Sequence, residues 1–217
     1  MAAPAYQAKG TVGETTTDSV SFTYMSTLAN DVLFLVLVDV GGSDTYTVDS
    51  SWTELASRLI IGPSGVTAYL YSKVATGSET GTENISRYPG GSGTVLAAQV
   101  YSYRGTSYLT LEDSIDRSGF GGTITWDALS VGGTERTLGA FVVNALGPNP
   151  FSASGYTNIV NDVLSDGTYM ELSTKANVSS SSNVTATNGS TDGWISFHVS
   201  LYNNSPSASG TRSFIVN

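Results

Sequence analysis

The sequence predicts an all-β protein, an antiparallel β-sandwich of the jelly-roll type. Apolar and polar residues alternate with a period of two in several segments, as in strands that bury one face. Glycine and proline mark turns between these segments, for example at Gly41-Gly42, Gly121-Gly122 and Gly147-Pro148. No window of a dozen residues keeps the spacing of an amphipathic helix. We therefore expect strands and turns along the whole chain.

Four segments show the strand pattern most clearly. In Ser19–Met25, Val66–Val74 and Trp194–Tyr202, apolar side chains occupy alternate positions. The run Val32–Val38 is apolar at every position and rich in β-branched residues. A strand covered on both faces has this composition, so we expect Val32–Val38 to lie centrally.

Composition and charge limit the possible functions. Only 12% of the 217 residues are charged and 40% are hydrophobic, with 24 glycines and no cysteine. Disulfides and thiolate zinc sites are thereby excluded. A net charge of −9 lacks the clustered cations that bind nucleic acid, so we expect no nucleic-acid partner. We also expect no cofactor, no classical export signal in Met1–Gly10 and no membrane helix.

The chain resembles itself at an offset of about 100 residues. Leu33–Val38 resembles Leu138–Val143, and the strand that Gly65 opens resembles the one that Gly167 opens. This predicts two pseudo-repeated halves of about five strands each, as one sandwich or two. The alternative is that a β-sandwich places strand and turn signals at regular intervals without any duplication. The predicted boundaries are an N-terminal arm at 1–16, a first half at 17–105, a connector at 106–122, a second half at 123–204 and a C-terminal arm at 205–217.

Candidate catalytic residues are few. The single histidine, His198, lies in a strand between Ser196 and Ser200, and we expect it to be a half-exposed strand residue rather than a general base. Loop acids could serve as general acids or bases, or as calcium ligands. We expect them to be solvated, and a glycoside hydrolase or lyase would rest on them alone: Asp44, Asp49, Glu112, Asp113 and Asp116.

Tyrosines are the best sequence evidence for a ligand. Tyr69 and Tyr71 share one strand face, and Tyr101 and Tyr103 share another. Exposed rings stack on sugars and their hydroxyls form hydrogen bonds, so these four could bind a glycan. Paired strand tyrosines can equally pack against each other on a sheet.

The two arms carry isolated apolar residues. Tyr6 lies in the N-terminal arm, and Phe214 and Ile215 lie in the C-terminal arm. They could anchor the arms on a partner, as an added strand or a plug into a neighbouring subunit, and the alternative is that the arms are frayed tails.

Five segments together resemble a known β-sandwich module. They are Asn30-Asp31 before the apolar strand, Gly41-Gly42, Trp52–Leu55, Ala68–Ala75 and Tyr101–Gly105. The pattern is similar to a module of tailed-phage virion proteins and bacterial surface proteins. It covers mainly residues 17–105, with a weaker echo at 123–203, and Ser51 stands where the module usually has glycine.

The resemblance implies a structural role in a virion and brings no catalytic residues. We expect a non-enzymatic capsid decoration protein or a neck or tail component, assembled in the host cytoplasm. Its partners would be major capsid or tail proteins and further copies of itself. The alternative is a carbohydrate-binding or receptor-binding module that uses the four tyrosines.

Overall fold

The computed structural model describes residues 2–41, 45–60, 65–88, 95–106, 108–144, 152–187 and 193–204. These residues form seventeen β-strands and no helix, which confirms the all-β class. The strands are β1 (Ala5–Lys9), β2 (Gly13–Thr15), β3 (Ser19–Thr23), β4 (Val32–Val40), β5 (Thr45–Thr47), β6 (Thr53–Ile60), β7 (Val66–Val74), β8 (Thr82–Tyr88), β9 (Val95–Arg104), β10 (Tyr108–Phe120), β11 (Thr123–Trp126), β12 (Arg136–Asn144), β13 (Ser152–Ala153), β14 (Thr157–Val163), β15 (Tyr169–Val178), β16 (Val184–Thr187) and β17 (Gly193–Asn204).

The described strands form four antiparallel sheets. Inner sheet 1 has the order β1-β9-β4-β7-β6, with β2 also paired to β9, and inner sheet 2 has the order β10-β17-β12-β15-β14. Outer sheet 1 is β3-β8-β5 and outer sheet 2 is β11-β16-β13. Apolar clusters fill the spaces between successive sheets, so the layers run outer 1, inner 1, inner 2, outer 2.

The layer order explains why β4 is apolar at every position from Val32 to Val38. Val32, Phe34 and Val36 face the core shared with inner sheet 2. Leu33 and Leu35 on the opposite face pack towards outer sheet 1. A strand buried on both faces is apolar at most positions, as the sequence predicted for Val32–Val38, and the one buried acid of β4, Asp39, is paired with Arg87.

The two inner sheets share one core, so the two halves form a single sandwich. The Phe141 ring in β12 lies 5.4 Å from the rings of both Phe34 and Tyr101, measured between centroids. The sheets approach closely at Gly139, where an added Cβ would stand 2.9 Å from the Tyr103 hydroxyl. A larger residue at position 139 would therefore require the Tyr103 and Val199 side chains to shift.

Polar contacts join the inner sheets at both edges. At one edge, Lys9 of β1 forms an ion pair with Asp162 of β14. At the other edge, Arg58 of β6 forms an ion pair with Asp116 of β10. At each edge, the outermost strand of one inner sheet thus contacts the outermost strand of the other, β1 with β14 and β6 with β10.

The two halves have the same strand order among the described residues. The sequence β9-β4-β7-β6 over β3-β8-β5 in the first half corresponds to β17-β12-β15-β14 over β11-β16-β13 in the second. Within the predicted bounds 17–105 and 123–204, each half therefore has seven strands rather than about five, because short outer strands escape a search for apolar alternation. The duplication of the sequence itself stays a prediction.

The arm and the connector at the predicted boundaries are strands. Residues 106–122 contain β10, which pairs with β17 along its whole length and is not a simple connector. The N-terminal arm adds β1 and β2 to β9 of its own chain, not to a neighbour. Asn203 and Thr137 donate hydrogen bonds to the carbonyls of Ala2 and Pro4, which fixes the start of the arm. The C-terminal arm, 205–217, lies outside the described residues.

Candidate functional site

The four predicted ligand tyrosines do not form an open surface. Tyr101 and Tyr103 are 1% and 0% exposed and lie in the core between the inner sheets. Tyr71 is also buried, and Tyr69 is half-buried, because outer sheet 1 covers their face of β7. The prediction of exposed rings was therefore wrong for these side chains. The tyrosines of each pair do lie on one face of their strand, as predicted, but that face is covered by another sheet.

Tyr6 anchors the N-terminal arm within its own chain. Its ring meets Tyr103 edge-on at 5.9 Å between centroids. Burial, followed by the nearby charge of Asp162, raises the pKa of Tyr6 to about 12. Tyr6 thus packs on its own chain, and its binding to a partner stays a prediction. Phe214 and Ile215 lie outside the described residues.

His198 is a buried structural residue. It is 0% exposed, against the expectation of half exposure, because outer sheet 2 covers its face of β17. Its Nε2 lies 2.7 Å from the Tyr156 hydroxyl and its Nδ1 lies 3.2 Å from the Asp127 carbonyl oxygen. Burial lowers the pKa of His198 to about 4, so the imidazole is neutral at pH 7.

The loop acids that the sequence singled out have structural partners. Glu112 accepts two hydrogen bonds of 3.0 Å from the Arg136 guanidinium. Asp113 accepts one of 2.6 Å from the Ser130 amide, and Asp116 pairs with Arg58. Asp49 accepts a hydrogen bond from the Ser51 amide, and Asp44 lies outside the described residues.

Neither a metal centre nor a membrane span is found in the described part of the chain. No three His, Asp or Glu side chains there come close enough together to ligate an ion. In the same residues, no helix has the length and hydropathy needed to cross a bilayer.

Three of the module-like segments meet at one end of inner sheet 1. Arg104 donates hydrogen bonds of 2.8 and 2.7 Å to the two carboxylate oxygens of Asp31. The Asp31 carboxylate also accepts from the Leu28 amide, which closes the turn before β4. Ala75, at the end of β7, exchanges backbone hydrogen bonds with Asn30 and Asp31. We call this arrangement the Asp31 corner.

A second group of motif residues closes the same end between inner and outer sheets. The Trp52 indole donates a 2.9 Å hydrogen bond to Glu83, and the Lys73 ammonium lies 5.6 Å from the Trp52 ring centroid. Glu79 lies 3.8 Å from Lys73. Burial alone would raise the pKa of Glu79, but hydrogen bonds from two backbone amides and from the Thr76 and Thr27 hydroxyls lower it to about 2.

The surface beside the Asp31 corner has two grooves with mixed polar and apolar linings. A groove of about 380 Å³ runs from Leu28 past Arg104 to Tyr108. An adjoining groove of about 270 Å³ continues past Val74 and along the start of β10. Leu28, Val74 and Tyr108 are 54%, 57% and 56% exposed. We call these three side chains the corner patch.

The corner patch was missed by sequence reasoning. Tyr108 falls within the predicted connector, and Leu28 lies in a turn where alternation gives no orientation. Only the Asn30-Asp31 and Arg104-Gly105 motifs marked this end of the molecule, without indicating what surrounds them.

Replacing Asp31 by asparagine is expected to destabilise the protein by about 1–3 kcal/mol, because Arg104 would lose a buried, doubly bonded counterion. Asp31 is 1% exposed. The matched control is Asp116→Asn, whose partner Arg58 is 47% exposed on its side chain. That control should cost less than about 1 kcal/mol. Urea unfolding of the two variants tests the prediction, and equal losses would contradict it.

Three comparisons of the chain with known proteins found no match. No protein-family model matches it, and no curated protein or solved structure is significantly similar.

Proposed function

We propose that the chain is a non-enzymatic structural component of a tailed-phage virion, such as a capsid decoration protein or a neck or tail component. It would act by contact with major capsid or tail proteins. The observation that carries the proposal is the convergence of three of the five module-like segments on the Asp31 corner. There the hydrogen bonds of Asp31 with Arg104 and Ala75 join the turn before β4 to the ends of β9 and β7.

The candidate catalytic residues form structural hydrogen bonds and ion pairs, which supports a non-enzymatic role. Glu112, Asp113 and Asp116 are held by an arginine or a backbone amide. His198 is enclosed between two sheets and hydrogen-bonded on both ring nitrogens. These groups stabilise loops and layers, as expected of a scaffold.

The corner patch supports binding to another protein. Leu28, Val74 and Tyr108 flank two adjoining grooves. Leu28 and Tyr108 line the same groove, and exposed apolar side chains beside a groove can serve as contacts for another protein. In a symmetric lattice, many copies would bind together, so a weak contact at each patch would suffice.

Co-sedimentation of the chain with particles of the phage that encodes it tests the proposal. The full chain should bind assembled capsids or tails and bind unassembled subunits less. Leu28→Asp combined with Tyr108→Asp should weaken this binding at least about tenfold, since both charges would enter an apolar contact. Val163→Asp is the matched control, because Val163 is 54% exposed at the far edge of inner sheet 2.

Two results would count against the proposal in different ways. Failure of the native chain to bind any virion particle would overturn the function. Binding that the double variant and the control reduce equally would show that the corner patch is not the contact surface. The alternative, a carbohydrate-binding module using Tyr69, Tyr71, Tyr101 and Tyr103, lacks accessible rings at three of its four positions.

A further inference from the structure

Outer sheet 1 presents an uncharged, hydroxyl-rich face to solvent. Alternate residues of its three strands point outwards and are exposed, while Val20, Phe22 and Ile85 point into the core. The exposed set consists of hydroxyl side chains, one amide and one phenol: Ser19, Ser21, Thr23, Thr45, Thr47, Thr82, Asn84, Ser86 and Tyr88.

Strand pairing arranges this set in rows across the sheet. Thr47, Ser86 and Ser19 form one row, and Asn84 with Ser21 forms the next. Neighbouring strands lie about 4.8 Å apart and alternate residues of one strand about 7 Å apart. The result is a grid of hydrogen-bonding groups about two to three strands wide.

Tyr88 gives this grid an aromatic border. Its side chain is 71% exposed, and it lies opposite Thr45 at the end of β8. A tyrosine ring offers an apolar plane with a polar tip, which suits the alternating C–H and hydroxyl surface of a sugar.

The polar groups of the grid are suited to hydroxylated ligands. Ser21 donates its hydroxyl proton to the Asn84 carbonyl oxygen, which leaves the Asn84 amide group as a donor. The surrounding serine and threonine hydroxyls can each donate and accept. Sugar hydroxyls also donate and accept hydrogen bonds, so they can bond to this face without any charged group on either side.

Charge restricts the ligand further. None of the nine outward positions described above carries a charge, whereas the whole chain has a net charge of −9. An anionic polymer would be repelled by the chain and would find no cation on this face. A neutral polymer meets neither penalty.

We propose that the outer face of outer sheet 1 binds a neutral polysaccharide, with Tyr88 stacking on a sugar ring and Asn84 and its serine neighbours accepting and donating hydrogen bonds. The site is distinct from the four tyrosines considered above. It goes beyond the proposed virion role and does not depend on it, since the corner patch and this face share no residue.

Affinity electrophoresis of the full chain in gels with dextran, mannan or galactomannan tests the proposal, with polygalacturonate as the anionic comparison. The native chain should be retarded by at least one neutral polymer and not by polygalacturonate. The apparent dissociation constant for the polymer should rise at least about tenfold in Tyr88→Ala and about threefold in Asn84→Ala. Tyr108→Ala, an exposed tyrosine outside this sheet, should leave it unchanged.

Circular dichroism of each variant separates loss of binding from loss of fold. Absence of retardation in every neutral polymer would overturn the proposal. So would equal retardation in polygalacturonate, or binding that Tyr88→Ala and Tyr108→Ala affect alike. If the native chain binds a neutral polysaccharide but no virion particle, that result contradicts the proposed function and leaves this proposal standing.

Discussion

Replacing Phe141 by alanine is expected to lower the free energy of unfolding by about 3–5 kcal/mol, as for other buried phenylalanines. Phe141 is 1% exposed and contacts Phe34 and Tyr101 of the first half. The truncation would leave a cavity between the inner sheets, which rigid strands cannot close. Urea unfolding measures the loss.

Phe120→Ala is the control for this prediction. Phe120 is 59% exposed at the end of β10, so its truncation should change stability by less than about 0.5 kcal/mol. Phe34→Ala should combine non-additively with Phe141→Ala, because the two rings touch. Similar losses for the Phe120 and Phe141 variants would show that the inner sheets do not share a core.

The second large effect is a loss of stability on acidification through His198. Burial lowers its pKa from the ordinary 6.5 to about 4. Between these values the unfolded chain binds a proton that the folded chain does not, so stability is full above pH 6.5 and falls towards pH 4. The loss should be about 3 kcal/mol, at 1.36 kcal/mol for each pKa unit.

His198→Gln isolates this contribution. Glutamine cannot titrate and retains an amide that can reach the Tyr156 hydroxyl. The difference in unfolding free energy between native chain and variant should shrink by about 3 kcal/mol from pH 7 to pH 4, while carboxylate effects cancel. A constant difference would contradict the assignment. Because the chain has one histidine, its NMR resonance reports the pKa directly.

The sequence was informative where burial imposes a pattern on consecutive residues. The strands at Val32–Val40, Val66–Val74 and Gly193–Asn204 are close to their predicted positions. Their signal is strong because one or both faces are apolar. Short outer strands such as β5 and β13 carry too few residues for any period to show.

The errors at the candidate site have one physical cause. Alternation shows which residues share a face of a strand, but not what covers the other face. In a four-layer protein, both faces of an inner-sheet strand are covered by other sheets. Tyr71, Tyr101 and His198 are therefore buried, although the alternation of the sequence had placed each on an outward face. The outward face of outer sheet 1 has no apolar signal and could be located only from the layer order.

The N-terminal arm and β10 show a second limit. Their pairing partners, β9 and β17, are distant in sequence, and a single chain gives no sign of which strand an edge segment joins. Lys9 and Asp162 are separated by 153 positions, yet they close one edge of the sandwich. Such contacts follow from topology and not from local pattern.

The shared core predicts that both halves unfold together, and tryptophan fluorescence measured beside circular dichroism tests this most directly. Trp52 reports the first half, and Trp126 and Trp194 report the second. One variant keeps only Trp52, through Trp126→Phe and Trp194→Phe, and the other keeps the second pair, through Trp52→Phe. In each variant the urea midpoint by fluorescence should equal that by circular dichroism. Separate midpoints, with a biphasic circular dichroism curve, would mean two independent sandwiches.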